Sequence, residues 1–284
     1  MNETNVRPAN FTRRTKNLAG KLRGEHRYVS LALYHILRLS DLGREGIERS
    51  GSYRFADHIY VDRASGKGVI GRILDRILLN LPATRAMRQR CVQSTAAMRQ
   101  AWNEHCIRGH AAPFRLMTIP CGIPRDVRDF SDAIIASGPG TVARIEYTGL
   151  DLDPEVLAVA EDFLLHSILP SPRWIAGDAL NPDSYPKESF HCVASTGLGE
   201  FLDDSQLLRF YANVHACLLP GGVFFTSATA SEPRSDAMLR AFELHTHYRS
   251  SAELEKLVTT LPWREVQYTR DASGLQTFVR AVKG

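Results

Sequence analysis

The stretch from Phe114 to Leu180 constrains this chain more than any other. FRLMTIPCGIPRDV, RIEYTGLDLDPEVLAVAEDFL and PRWIAGDAL read in turn as strand, glycine-containing turn, helix, strand with an acidic end, helix, and strand with an acidic end. A βαβαβ half-sheet of this kind binds ligands in the crevice outside the carboxyl ends of its strands. The Pro120-Cys121-Gly122 turn, Asp151 and Asp178 meet there. A carboxylate closing the second strand can accept both hydroxyl donors of a ribose. An acid after the third strand suits an exocyclic amine such as that of adenine. A nucleoside-containing small molecule is therefore the expected ligand.

The rest of the chain is read around that core. Residues 1–18 are polar and basic and lack periodicity. Residues 26–42 carry Val29, Leu31, Leu33, Ile36, Leu37 and Leu39 at helical spacing, which predicts a helix. The aromatic stretch with Tyr53, Phe55, His58 and Tyr60 reads as a loop, and 70–81 and 82–104 as two helices, with Pro82 in a first turn. Strands are expected at 115–119, 143–150, 173–176, 190–195 and 223–229. Asp153-Pro154 should open a helix, with Asp153 as its N-cap; capping explains Asp153 and leaves Asp151 for the ligand. Helices are expected at 125–137, 204–219 (stopped by Pro220-Gly221-Gly222), 235–248 and 251–261. Two closing strands at 264–269 and 276–282 form a hairpin-sized pair. The expectation is an α/β chain with a helical extension or lid over 1–110 and a nucleotide-binding domain over 111–284.

Composition narrows the classes. With 44% apolar and 23% charged residues the chain has the make-up of a globular protein. The net charge of +4 is spread over helix faces, without the basic stripe and stacking aromatics a nucleic-acid binder needs. No apolar run is long enough for a membrane span, and the N-terminus has no signal-peptide core. Five cysteines without metal-ligand spacing fit free thiols in a reducing compartment and imply no metal site. A cytoplasmic location, with neither a nucleic-acid nor a membrane partner, is the expectation; the oligomeric state is open.

From Arg115 to Gly284 the sequence resembles a class I methyltransferase, the Rossmann-like fold that binds S-adenosylmethionine. The resemblance rests on the Cys121-Gly122 turn, GLDLDPEVLAVA at 149–160, GDAL at 177–180 and LLPGGVFFTS at 218–227, in that order. It implies a seven-stranded sheet with an antiparallel last strand. It also implies that Asp151 and Leu152 hold the ribose, that Asp178 and Ala179 read adenine, and that Pro120, Cys121 and Gly122, with Ser195, line the methionine part. Where the family's first motif carries an acid that helps hold the ligand's ammonium group, this chain has Thr118. A carboxylate near an amine favours its charged form, so its loss favours the nucleophilic, neutral amine. In this respect the chain looks like the azetidine-2-carboxylate synthases of this fold, which cyclise S-adenosylmethionine and release methylthioadenosine. On that reading Tyr53, Phe55, Tyr60 and Phe201 flank the sulfonium, each contributing about 0.5–2 kcal/mol by cation–π attraction, and His58 accepts the proton. Ser195, Thr196 and Glu200 stand where a methyl acceptor docks in an ordinary methyltransferase. Three readings remain: a cyclase acting in natural-product biosynthesis, a small-molecule methyltransferase, and a non-catalytic binding protein.

Overall fold

The computed structural model describes residues 18–26, 28–49, 52–109, 112–136, 144–165, 169, 171–233, 236 and 246–284. The chain divides into two compact units. One holds the helices up to Met87; the other comprises Arg88–Glu232 and Thr246–Gly284.

The second unit is built on a seven-stranded sheet in the order β3-β2-β1-β4-β5-β7-β6. Its strands are β1 (Phe114–Thr118), β2 (Ile145–Asp151), β3 (Arg173–Ala176), β4 (Phe190–Ser195), β5 (Leu218–Thr229), β6 (Trp263–Arg270) and β7 (Gln276–Lys283). The first five run parallel, and β7 is antiparallel to both of its neighbours. The order turns back between β1 and β4, so the switch point, and with it the crevice, lies at the carboxyl ends of these two strands.

Side chains alternate across the sheet, and each face is buried by its own helices. Leu116, Cys192, Ala194 and Phe225 pack on one face with Met98 and Trp102 of α6 (Pro82–Ile107) and Phe130 of α7 (Arg125–Ile135). Met117, Val193 and Phe224 pack on the other with Leu207, Phe210 and Val214 of α9 (Asp204–Cys217) and Leu254 of α10 (Ser251–Val258). Both central strands are thus buried on two sides, which is why they read as nearly continuous apolar runs. Between β2 and β3, α8 (Pro154–Leu164) starts as expected: the Asp153 carboxylate accepts the N–H of Glu155 and Pro154 sits in the first turn.

The helical unit contains α1 (Leu18–Gly24), α2 (Tyr28–Leu37), α3 (Asp41–Arg49), α4 (Tyr53–Val61) and α5 (Gly68–Leu79). Three expectations are corrected. The helix predicted over 26–42 is two, because Ser40 Oγ accepts the N–H of Gly43 and starts a new helix at Asp41. The aromatic loop is a helix, α4, capped by Ser52, whose Oγ accepts the N–H of Phe55 at 3.2 Å. Pro220-Gly221-Gly222 does not precede the strand but lies within β5, as the irregularity between the pairs Phe190–Leu218 and Cys192–Val223. The division between the two compact units falls after Met87, within α6, and Ala97, Met98, Ala101 and Trp102 of that helix belong to the sheet's core. Of the helix expected over 235–248, residues 246–248 are irregular; the rest, apart from Asp236, lies outside the described residues.

Candidate functional site

The crevice is assembled from backbone first. The chain leaves β1 through a cis Ile119–Pro120 peptide. The Ile119 N–H donates to the Ala194 carbonyl of β4, and the Cys121 N–H donates to the Leu150 carbonyl of β2 at 2.9 Å. Gly122 then takes φ +50°, a conformation that favours glycine. A Cβ at Gly122 would meet nothing within 4 Å. The turn's backbone therefore borders open space, where a ligand can approach.

Asp151 ends β2 on the other side of that space. It is buried, and its oxygens accept the N–H of Gly122 at 3.1 Å and of Asp153 at 3.2 Å. Burial raises its carboxyl above the ordinary value, and these backbone donors pull part of the way back. Two hydrogen bonds do not saturate a carboxylate, which has about four acceptor sites. The remaining ones are available to hydroxyl donors. Leu152 beside it keeps 46% of its surface exposed, leaving apolar area where a ribose and base would lie. Next along the sheet edge, the Gly177 N–H donates to the Asp151 carbonyl. The exposed Asp178 turns one carboxylate oxygen onto the Leu180 N–H at 2.8 Å. The Ala179 carbonyl is fixed by the Tyr185 hydroxyl and the Asn213 amide.

On the β1 side, the Thr118 hydroxyl is hydrogen-bonded to the Tyr147 hydroxyl at 2.7 Å, so no charge stands in that place. Asp126, in the first turn of α7, was not singled out from the sequence. Its carboxylate accepts from Ser94 Oγ at 2.6 Å and from the Val127 N–H, and burial raises it. Cys121 is buried, and desolvation together with the Asp151 charge drives its thiol well above the ordinary range. It is a packing residue with no thiolate character.

The end of β4 is the third wall. Ser195 is buried, and its Oγ has no hydrogen-bond partner among the described residues. Such an orphaned hydroxyl at a crevice marks a group with bonding capacity to spare. Thr196 and Gly197 follow. Glu200 does not cap α9, since Asp203 and Gln206 form that capping box. Instead it is buried in an ion pair with Arg90 of α6. Arg90 also donates to Thr229 and to Gln276, and the Gln276 amide donates to Thr229 Oγ1 at 2.7 Å. This network ties α6, β5, β7 and the loop after β4 together at the carboxyl edge. The sequence reading missed Arg90, because one arginine in a basic helix reads as a solvated face. Only its burial distinguishes it.

Of the residues expected to meet the ligand, the structure brings Pro120, Cys121, Gly122, Asp151, Leu152, Asp178, Ala179, Ser195, Thr196 and Glu200 to one edge of the sheet. Tyr53, Phe55, His58 and Tyr60 lie on α4, in the helical unit. Phe55 is packed with Ile59, Leu42 and Leu79 in that unit's core, so its ring is a packing element and not an open face. His58 Nε2 bonds the Arg63 carbonyl, which gives the ring a local structural role. The Tyr53 hydroxyl accepts from Arg54. Among the described residues, no group of three His, Cys, Asp or Glu side chains is placed to hold a metal. No helix of the described residues is long and apolar enough to cross a membrane. A cavity of 270 Å³ lined by Glu104, Arg108, His191 and Gly221 opens at the amino ends of the strands, the edge opposite Asp151.

Residues 27–283 match the model of a family described as "Putative methyltransferase". The chain belongs to this methyltransferase family. Its cofactor is accordingly S-adenosylmethionine, and the cradle formed by Gly122, Asp151 and Leu152 fits the nucleoside end of that molecule. Among solved structures the chain is similar to a possible exported protein from Bordetella parapertussis. The two are 19% identical, with a TM-score of 0.70, over 89% of this chain and 87% of that one. It is also similar to the CurJ carbon methyltransferase, at 12% identity and TM-score 0.55, over 94% of this chain and 70% of that one. The CMeT domain of the citrinin polyketide synthase gives 15% identity and TM-score 0.53, over 80% and 65%. These likenesses establish the class I methyltransferase fold. The uncharacterized protein YnbC of Escherichia coli K12 is 24% identical over 241 residues. The match takes in 80% of this chain but 39% of YnbC, so the chain spans about two fifths of that relative's length.

Proposed function

We propose that the methyltransferase acts on a small-molecule acceptor docked at the end of β4. The observation that carries this reading is the wall opposite Asp151: the orphaned Ser195 hydroxyl, followed by Thr196 and the fixed Glu200, beside the switch point. S-adenosylmethionine, when bound, supplies an electrophilic methyl group on its sulfonium. The chain's own part is placement. Asp151 accepts the ribose hydroxyls, the Gly122 backbone lets the amino-acid part lie close, and Asp178 stands where the adenine amine would donate. Ser195 and Thr196 orient the acceptor, and the Arg90 network keeps their loop in one position. Placement of two reactants can supply about 7–11 kcal/mol of barrier reduction in favourable cases. Domain architecture, acceptor and partners are part of this proposal.

A second reading, cyclisation of S-adenosylmethionine to azetidine-2-carboxylate, is favoured by one observation. The residue in the usual acid's place, Thr118, is bonded to Tyr147, and the neighbouring Asp126 is occupied by Ser94 and biased by burial towards its neutral form. Neither offers a ready carboxylate to an ammonium group. In that reaction the neutral amine attacks the γ-carbon, the carbon–sulfur bond breaks, methylthioadenosine leaves and the ring nitrogen releases a proton.

Product analysis separates the two. The purified chain is incubated with S-adenosylmethionine alone and then with pooled small-molecule extracts. The first reading predicts adenosylhomocysteine only when an acceptor is present. Methylthioadenosine formed without any acceptor would replace it with the second.

A further inference from the structure

The outer face of α5 is apolar and, among the described residues, uncovered. Val69, Ile70, Ile73 and Ile77 keep 67%, 61%, 53% and 56% of their surface exposed. Ile70, Ile73 and Ile77 follow at i, i+3 and i+7, so they form one stripe along the helix. The opposite face is fixed. Gly71, Asp75, Leu78 and Leu79 are buried, and a Cβ at Gly71 would lie 2.2 Å from the Leu39 carbonyl oxygen. Asp75 accepts from Ser40 Oγ and from the N–H groups of Leu42, Ser65 and Gly66. The helix therefore cannot roll to hide its stripe without breaking these contacts.

The flanking charge says what the stripe faces. Lys67, Arg72 and Arg76 are exposed beside it, and Asp75, the one acid within α5, points inward. A second copy of the chain would bring these cations against their own counterparts. Residues 1–17 carry Arg7, Arg13, Arg14 and Lys16 against Glu3, so that arm has the same sign. A nucleic acid calls for stacking aromatics, and the stripe is aliphatic. Aliphatic side chains rimmed by cations match a helix lying at the surface of an anionic bilayer, with the apolar side among the acyl chains and the cations at the headgroups. We propose that the outer face of α5 docks on an anionic lipid surface. This proposal departs from the sequence reading, which expected no membrane partner, and rests on the exposure of this face.

The test is co-sedimentation of the full chain with vesicles of phosphatidylcholine, with and without phosphatidylglycerol, at low and high salt. Binding is expected on the phosphatidylglycerol vesicles, weakened by salt. Ile73→Glu/Ile77→Glu is expected to weaken it by on the order of tenfold or more. Its thermal melt reports whether it folds. If it does not, Arg72→Gln/Arg76→Gln, exposed on the same face, should weaken binding by about fivefold per cation. Equal partitioning onto both kinds of vesicle would overturn the proposal. So would unchanged binding of the variants, which would point to another surface such as the basic arm. A dimer in light scattering that Ile73→Glu/Ile77→Glu dissolves would assign the stripe to a second copy instead.

Discussion

Asp75 and Asp151 show how differently two buried carboxylates can be treated by one chain. Burial alone would raise Asp75, but Ser40 Oγ and three backbone N–H groups outweigh it and hold the carboxyl below its ordinary 3.8. Since the folded value is depressed, the unfolded chain takes up the proton first as pH falls. The stabilisation is present in full above about pH 4 and is lost as pH drops through the folded value. In Asp75→Asn an amide NH₂ replaces one acceptor oxygen and faces two donors. Buried donors without acceptors cost about 1–3 kcal/mol each, so the variant should be less stable by about 2–6 kcal/mol at pH 7. The gap to wild type should shrink as pH falls below 4. Thermal melts of both proteins from pH 7 to pH 3 measure this, and a constant gap would contradict it. At Asp151 burial wins instead, so the unfolded chain gives up its proton first as pH rises. There the ionised carboxylate destabilises the fold as pH passes through the raised value, and a ligand that donates hydroxyls offsets that penalty.

At the scale of elements, the loop after β4 depends on a charge pair that cannot be dismantled from one side. Arg90 and Glu200 are both buried. Removing one partner of such a pair leaves the other uncompensated, typically at 3–5 kcal/mol. Arg90→Met should therefore destabilise the sheet unit by about that much in chemical denaturation. Adding Glu200→Gln to it should recover part of the loss. Strictly additive losses would show that the two side chains do not interact. The same elements show what a sequence discloses. β4 falls at its expected bounds because a strand buried on both faces reads as a short apolar run. α8 was legible because Asp153 and Pro154 are local signals. The helix α4 was not, because its buried pair Phe55 and Ile59 is interleaved with Tyr53, His58 and Tyr60, whose polar tips obscure a four-residue spacing. Asp151 could be singled out since capping left it unexplained. Arg90, Gln276 and Thr229 could not, since their meeting is tertiary and each is unremarkable along the chain.

For the whole molecule, the helical unit and the sheet unit each carry a core of their own, and the candidate site lies at one edge of the sheet. Burial pushes Cys91, Cys192 and Cys217 up to about 12, so these thiols stay protonated at neutral pH, and the candidate site centres on the Asp151 carboxylate. The account depends on that carboxylate accepting the ribose of the cofactor. Titration calorimetry of adenosylhomocysteine into the wild-type chain and into Asp151→Ala tests it most directly. Each charge-assisted hydrogen bond lost is worth about 1.5–3 kcal/mol, so the variant should bind at least tenfold more weakly, with a thermal melt showing that it is still folded at the titration temperature. Equal affinity in the two proteins, or no binding to the wild type, would contradict the account.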